Sequence, residues 1–474
     1  MSLYPPIGRA PLWAGLLTGV LVAVLGWPAP VRPSQWVIGG GSGDFASIAW
    51  GLWRVADAAP GLPDVHLPDL YFPQGADLLI ADLPESLLIA PVTALFGPVV
   101  AFNLLQWLHP TLAAVCAAAL ARSEDVSIEG AVLAGVGFGL SPVLLSSIHN
   151  GNPDVSPLFL VPLVALCAMR ISQGWTWAIA AGVVAGMSPW FNPYVGVMVA
   201  ITALIFAPWR ARRSWAAGGL AAAIAGAYLL MVRQSLADAA TMIVKPPVIA
   251  DAPSTGAADL IGFVWPAMTL QPDGWSVHLW APGLILLVLA FGGGRSWRWW
   301  ILASIGAVMA LGPVLQVTPG IAAEINGWRL LLPGALLAQL PGLDALHIQY
   351  RFAALTALGL SVLAARAVTR LPRLASRLII AAAVGELLWI GGGLLASGPA
   401  PSTVGCELLA DLSDGAIIDL PGEREERRML AQACHGRPIA EGINQPYPHR
   451  VRHSPQPFPS PHRPNQRRCP IKRP

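Results

Sequence analysis

The stretch PLWAGLLTGVLVAVLGWP, residues 11–28, carries no charged side chain, and GGGSGDFASIAWGLW, residues 39–53, follows closely. A run of that length spans about 30 Å of hydrocarbon as a helix at about 1.5 Å per residue. In lipid only helices and closed barrels leave no backbone group unpaired. The second stretch delivers a lone carboxylate, Asp44, out of a glycine run. Working outward, apolar runs recur near 11–28, 98–121, 130–148, 155–169, 176–189, 194–209, 215–232, 279–294, 299–313, 352–369 and 378–396, with no barrel-type alternation. Composition agrees: 55% hydrophobic and 12% charged side chains, with mean hydropathy +0.58, exclude a water-soluble globule. The expected fold is an all-α polytopic membrane protein of about eleven transmembrane helices. Trp27, Trp36, Trp190, Trp209, Trp280 and Trp299 sit at span ends, where indole rings favour the interface.

If each span crosses once, Arg9, Arg122, Arg170, Arg210, Arg212, Arg213, Arg295, Arg298, Arg366, Arg370, Arg373 and Arg377 share one side. The positive-inside bias makes that side the cytoplasm. The expectation is a multi-pass protein of the inner (plasma) membrane, with its N-terminus cytoplasmic and its C-terminus periplasmic or extracellular. The outer side receives a first loop at 29–97, then 233–278, 314–351 and everything after 397. The net charge of +3 reflects the cytoplasmic anchors and gives no argument for a nucleic-acid partner. The first span has the basic flank of a secretory signal. No small-residue cleavage site precedes Arg32 and ten spans follow, so an uncleaved helix is expected.

No CxxC, HExxH or GxxxxGK[ST] pattern occurs, and the glycines before Asp44 lack the lysine and strand of a phosphate loop. ATP-driven transport by this chain alone is not expected. Cys116 and Cys167 lie in spans, Cys406 and Cys434 in the outer tail, and Cys469 at the terminus; a Cys406–Cys434 bridge and free thiols are both open.

In the first outer loop, Phe45, Ile48, Ala49 and Leu52 recur at helical spacing and predict a short amphipathic helix in the interface, with Asp44 at its N-terminus. Two roles for Asp44 stay open there. One is an N-cap, stabilising by about 0.5–2 kcal/mol; the other is a general base. The proline-punctuated segment 60–88 adds Asp64, His66, Asp69, Asp77, Asp82 and Glu85, read mainly as solvated loop residues. The second outer loop, SSIHNGNPDVSP (146–157), holds His149, Asn150, Asn152 and Asp154. Polar density at membrane depth is costly unless used or solvated, and a wet Asn-Gly, Asn-Pro turn accounts for it as well. The third, MSPWFNPYVG (187–196), offers Trp190, Asn192 and Tyr194, suited to stacking on a sugar or isoprenoid or to an aromatic belt. Arg233, Lys245, Arg329 and Arg351 place cations against the positive-inside bias. Arg351 and Lys245 are candidate partners for a lipid phosphate, with snorkelling to bulk headgroups the alternative.

The series GDFASIAWGLW (43–53), YFPQGADLL (71–79), FGPVVAFNLLQWL (96–108), GFGLSPVLLSSIHNGNPD (137–154), ALGPVL (310–315) and LPGLDALHIQYRFAAL (340–355) resembles the GT-C glycosyltransferases across most of residues 12–440. The resemblance implies a polyprenyl-phosphate sugar donor, two interfacial helices in the first outer loop and an acidic catalytic base there, by position Asp44. Phe45 follows it where protein mannosyltransferases have a paired Asp-Glu. The implied activity is transfer of a sugar to an envelope glycan, lipid or protein acceptor on the outer face of the membrane. Donor, acceptor and membrane lipids are the partners. Arg351, Lys245, His149, Asn150, Asp154, Trp190 and Tyr194 are the candidate substrate-binding residues. No cofactor is expected. Some relatives hold a divalent cation through carboxylates of the first two outer loops, for which Asp44 and Asp154 are the pair to consider, but no metal site is predicted. Two other classes stay open: a secondary transporter or flippase, with internal repeats and midplane charges, and a non-catalytic envelope scaffold on the same fold. Glu386 is the main acid inside the spans.

The expected organisation is a transmembrane unit at 1–396, a small α/β outer segment at 397–444 and a disordered tail at 445–474. GAIIDLP (415–421) reads as a strand, and GEREERRMLAQACHGRPIAEG (422–442) as a charged helix closed by Gly436. The outer segment reads as cut short. The tail, rich in Pro and Arg without an acidic residue, fits either a reading-frame change or a native basic tail touching headgroups.

Overall fold

The computed structural model describes residues 8–41, 44–61, 66–70, 75–77, 82–242, 256–266, 269–270, 277–294, 296–318, 321–337, 346, 348–401 and 425–439. The helices are α1 (Ala10–Leu25), α2 (Phe45–Ala58), α3 (Leu83–Phe96), α4 (Pro98–Arg122), α5 (Ile128–Gly139), α6 (Pro142–His149), α7 (Leu160–Met169) and α8 (Trp175–Phe191). They continue with α9 (Pro193–Phe206), α10 (Arg212–Met242), α11 (Leu284–Gly292), α12 (Trp297–Ala310), α13 (Gly334–Leu337), α14 (Ala353–Val368), α15 (Arg373–Gly391) and α16 (Glu425–His435).

A helix lies in each of the eleven apolar segments. Among the described residues, five runs are long and apolar enough to cross a membrane: Pro98–Arg122, Ile128–His149, Arg212–Arg233, Gln349–Val368 and Arg373–Leu395. The remaining β-structure is two- and three-residue antiparallel pairs, such as Trp36–Val37 with Gly398–Pro399. The expected strand at 415–421 and the tail at 445–474 lie outside the described residues.

Small residues let the central helices approach closely. A Cβ added at Gly135 or Gly139 of α5 would sit 2.6 Å from the Ala114 carbonyl oxygen or 2.7 Å from that of Pro110, both on α4. Contacts mark the two ends of this bundle. At one, Arg366 pairs with Glu124 at 2.9 Å, Arg370 donates to the Gly292 carbonyl, and the Ser127 N–H donates to Thr369 Oγ1. At the other, Asn150 joins Val277, and the Tyr350 N–H donates to the Gly256 carbonyl. The candidate residues Asn150 and Arg351 lie at this second end.

Two acids expected in loops or spans are spent on architecture. Gly97, with φ +89° and ψ 164°, adopts a backbone open only to glycine, and Pro98 starts α4 directly after it. The chain thereby folds α3 back along α4 and brings Glu85 level with His109. Both Glu85 oxygens lie 2.8–2.9 Å from His109 Nε2, and both side chains are buried. Glu85 is therefore not the solvated loop residue the sequence suggests. Glu386 on α15 accepts the Leu284 and Ile285 N–H groups at 2.6 and 2.9 Å. It caps the otherwise unpaired start of α11 from a neighbouring helix.

The helix closed by Gly436, expected on the outer segment, is α16, and Gly436 takes φ +65°. Cys434 on it is disulfide-bonded. α16 docks on α2: Trp50 Nε1 donates to Gln432 Oε1 at 2.8 Å, and Gln432 Nε2 donates to the Asp69 carbonyl. The Asp69 carboxylate in turn pairs with Arg54 of α2 at 3.1 Å. His435 ends α16 with its Nδ1 accepting the Arg437 N–H at 3.0 Å. Burial, and then the Arg437 charge, push the imidazole down to about 4 from its ordinary 6.5. The undocked state takes up protons first, so docking is fully stabilised above pH 6.5 and is lost as pH falls through about 4. Hydrogen exchange in α2 and α16 is expected to quicken across that window, and His435→Gln to flatten the dependence.

Candidate functional site

One row of polar side chains on α4 organises this second end of the bundle. Asn103, Gln106 and His109 recur every third residue and so share a helix face. Asn103 donates to the Pro33 and Trp36 carbonyls at 2.8 and 2.7 Å and accepts the Ile38 N–H at 2.9 Å. It thus fixes the strand leading to Asp44. One turn deeper, Gln106 Nε2 donates to the Ile148 carbonyl at 3.0 Å, fixing the second outer loop. Sequence reasoning passed over this row; three polar residues on one face of an apolar span were its signal.

Gly39 wedges the two loops together. It takes φ +84°, and a Cβ there would lie 2.5 Å from the Ile148 carbonyl oxygen and 3.1 Å from His149 Cα. Gly39→Ala is expected to cost about 1–3 kcal/mol in strain. It should displace the backbone carrying His149 and Asn150; melting temperature and activity together check this.

Asp44 occupies the N-cap position of α2, but its side chain makes no capping hydrogen bond and is exposed. The capping role left open by the sequence is not played. Its N–H instead donates to the Asn150 carbonyl at 3.1 Å, which fastens the acid to the second outer loop. The Asn150 side chain faces the other way: Nδ2 donates to the Val277 carbonyl at 2.9 Å and Oδ1 accepts the Val277 N–H at 2.8 Å. His149, the last residue of α6, hydrogen-bonds the backbone of Leu394.

From Val277 the contacts run on to the cationic side. His278 stacks on Tyr350 with centroids 4.4 Å apart, and Tyr350 precedes Arg351 in a 3-10 turn, Gln349–Phe352. The Arg351 guanidinium, buried in this turn, lies 4.8 Å from the centroid of the Tyr194 ring. The Tyr194 hydroxyl accepts the Ile348 N–H at 2.7 Å, so the ring beneath the cation is fixed. Asp44, Asn150, Tyr194 and Arg351 thus belong to one connected set, with Val277, His278 and Tyr350 as links that the sequence did not single out. Trp190 is engaged elsewhere: its N–H donates to the Ile224 carbonyl of α10 and its ring tilts on Tyr228. Asp154 falls in a 3-10 turn, Pro153–Val155, but its side chain, and all of Lys245, lie outside the described residues. No three His, Cys, Asp or Glu side chains gather as metal ligands among the described residues.

The architecture matches solved glycosyltransferases. The apo oligosaccharyltransferase of Archaeoglobus fulgidus superposes with a TM-score of 0.52 at 12% identity, over 92% of this chain and 65% of that one. The arabinofuranosyltransferase AftD from Mycobacteria superposes with a TM-score of 0.52 at 14% identity, over 93% and 32%. The chain shares the fold of these two structures. By sequence, no family model and no curated protein matches the chain. The chain spans less than two thirds of the length of either structure. Within this framework, the segment between α1 and α4 contributes two helices, α2 and α3, and Asp44 heads the first of them.

Proposed function

We propose that the chain is a membrane glycosyltransferase that moves a sugar from a polyprenyl-phosphate donor to an envelope glycan, lipid or protein acceptor on the outer face. The observation that carries the reading is the continuous set of contacts from Asp44 through Asn150, Val277, His278 and Tyr350 to Arg351. It holds on one framework a carboxylate that does not cap its own helix and a buried guanidinium, and the framework shares its fold with a solved oligosaccharyltransferase.

In the proposed reaction, an acceptor hydroxyl attacks the anomeric carbon and forms the new glycosidic bond. The carbon–oxygen bond to the lipid phosphate breaks, and its electron pair leaves on the phosphate. Asp44 takes the acceptor proton as general base. Arg351 stabilises the negative charge on the departing phosphate, and its stacking on Tyr194 leaves little reorganisation to be done at that moment. Tyr194 and Asn150 position these two groups, and no metal enters the scheme. The arginine-bearing end of the bundle is read as cytoplasmic, which puts the site on the outer face. A transporter would need working charges near the midplane; Glu386 is already committed to the start of α11.

The test is transfer of labelled sugar from a panel of polyprenyl-phosphate donors by the protein in lipid, with wild type and Asp44→Asn side by side. Turnover that Asp44→Asn abolishes supports the reading. Equal rates remove Asp44 from the mechanism, and no turnover with any donor turns the reading toward a transporter or scaffold.

A further inference from the structure

Beside Arg351 lies a small group of buried polar atoms that the scheme above does not use. Asp259 is 1% exposed; its Oδ1 accepts the Gly262 N–H at 2.7 Å, while Oδ2 has no hydrogen-bond partner among the described residues. Among the described residues, the Trp280 indole N–H, on a side chain 3% exposed, has no acceptor, and Gln349 Oε1 has no donor. Backbone contacts bring the three segments that carry these atoms together. A Cβ built on Gly262 would clash with Trp280 Nε1, so the residue bound to Asp259 also packs against the indole nitrogen. The Tyr350 N–H donates to the Gly256 carbonyl and so brings the Asp259 segment against the turn that carries Gln349 and Arg351. The Trp280 ring lies 6.3 Å from that of Tyr350.

Buried polar atoms left unpaired cost free energy, and native proteins seldom keep several together without something to satisfy them. What would satisfy this group has a definite chemistry. A carboxylate oxygen and an amide oxygen accept hydroxyl protons, an indole N–H donates to a hydroxyl oxygen, and aromatic rings offer faces to sugar C–H groups. An anion is disfavoured by the carboxylate, and an apolar chain would leave all three atoms unpaired. Burial pushes the Asp259 carboxyl above the ordinary carboxylate range against the pull of the Gly262 and Ile261 backbone hydrogen bonds, which is the environment a neutral polyol relieves without adding charge.

We infer that Asp259, Trp280 and Gln349 form the subsite for the sugar hydroxyls of the donor, next to the phosphate held by Arg351. The inference rests on the proposed glycosyl transfer and names the groups that would read the sugar. A site that hydrogen-bonds a substrate hydroxyl discriminates strongly against a ligand lacking it.

The experiment measures binding of undecaprenyl phosphate, bare or carrying glucose, mannose or arabinose, to the full chain in lipid nanodiscs. Wild type is compared with Asp259→Asn, Trp280→Phe and Arg351→Leu, each checked for an unchanged melting temperature. At least one sugared lipid is expected to bind wild type about 10-fold or more tightly than the bare lipid. Asp259→Asn and Trp280→Phe should erase that margin without weakening the bare lipid, and Arg351→Leu should weaken both. A margin that survives in both subsite variants means that the group holds only water, and overturns the subsite while leaving glycosyl transfer standing. A wild type that binds bare and sugared lipid alike overturns it too. If neither lipid binds, the donor reading itself falls and the subsite with it.

Discussion

Asp44→Asn is expected to lower kcat by about 10²–10⁴-fold, the usual contribution of a positioned general base, with KM little changed. The substitution is nearly isosteric, and the contact that places residue 44 is made by its backbone N–H to the Asn150 carbonyl. Asparagine keeps that contact and the side-chain volume, and removes the basic oxygen and its charge. Capping gives no competing account, because the carboxylate does not cap α2. Asp57, an exposed acid on the same helix, supplies the control: Asp57→Asn should turn over like wild type. An equal loss in both variants would point to the helix as a whole and away from the carboxylate.

His109→Leu is expected to destabilise the fold by about 3–5 kcal/mol, because it strands the Glu85 carboxylate in a buried site. The double variant Glu85→Leu with His109→Leu should regain much of that loss, since well-packed apolar residues often replace a buried pair at little cost. Unfolding of single and double variants in mixed micelles measures both. A single variant that melts with wild type would show that the α3–α4 hairpin is held by packing alone. A double variant no better than the single would place the loss in the contact of His109 with Phe159, whose rings lie 6.2 Å apart.

What was legible in the sequence follows from where the physics is local. Apolar runs announce helices because lipid leaves the backbone no alternative, and a helix stands in each of the eleven segments. The spacing of Phe45, Ile48, Ala49 and Leu52 likewise announced α2, and Gly436 announced the end of α16. The site was legible only in part, because its remaining members are joined across distance. Asn150 meets Val277 across 127 positions, and His278 reaches Tyr350 only when two outer loops close together. Glu85 looked like a loop acid because nothing local reveals that Gly97 folds α3 against α4. Glu386 looked like a midplane charge because the helix start it caps lies about a hundred positions earlier, at Leu284. Trp190 satisfied an aromatic reading equally well from a helix–helix contact with α10.

The bond between Trp50 and Gln432 joins positions 382 residues apart. Contacts that distant form after local ones, because the intervening chain must first be made and ordered. The helix headed by Asp44 emerges early in synthesis, but its buried indole stays unmatched until the segment carrying Gln432 reaches the same side of the membrane. Ribosome-bound chains halted before residue 425 should therefore hold an inserted bundle whose α2 exchanges and is cut by protease freely. The segment carrying Gln432 closes the first loop once it is made, so maturation of the site is timed by elongation.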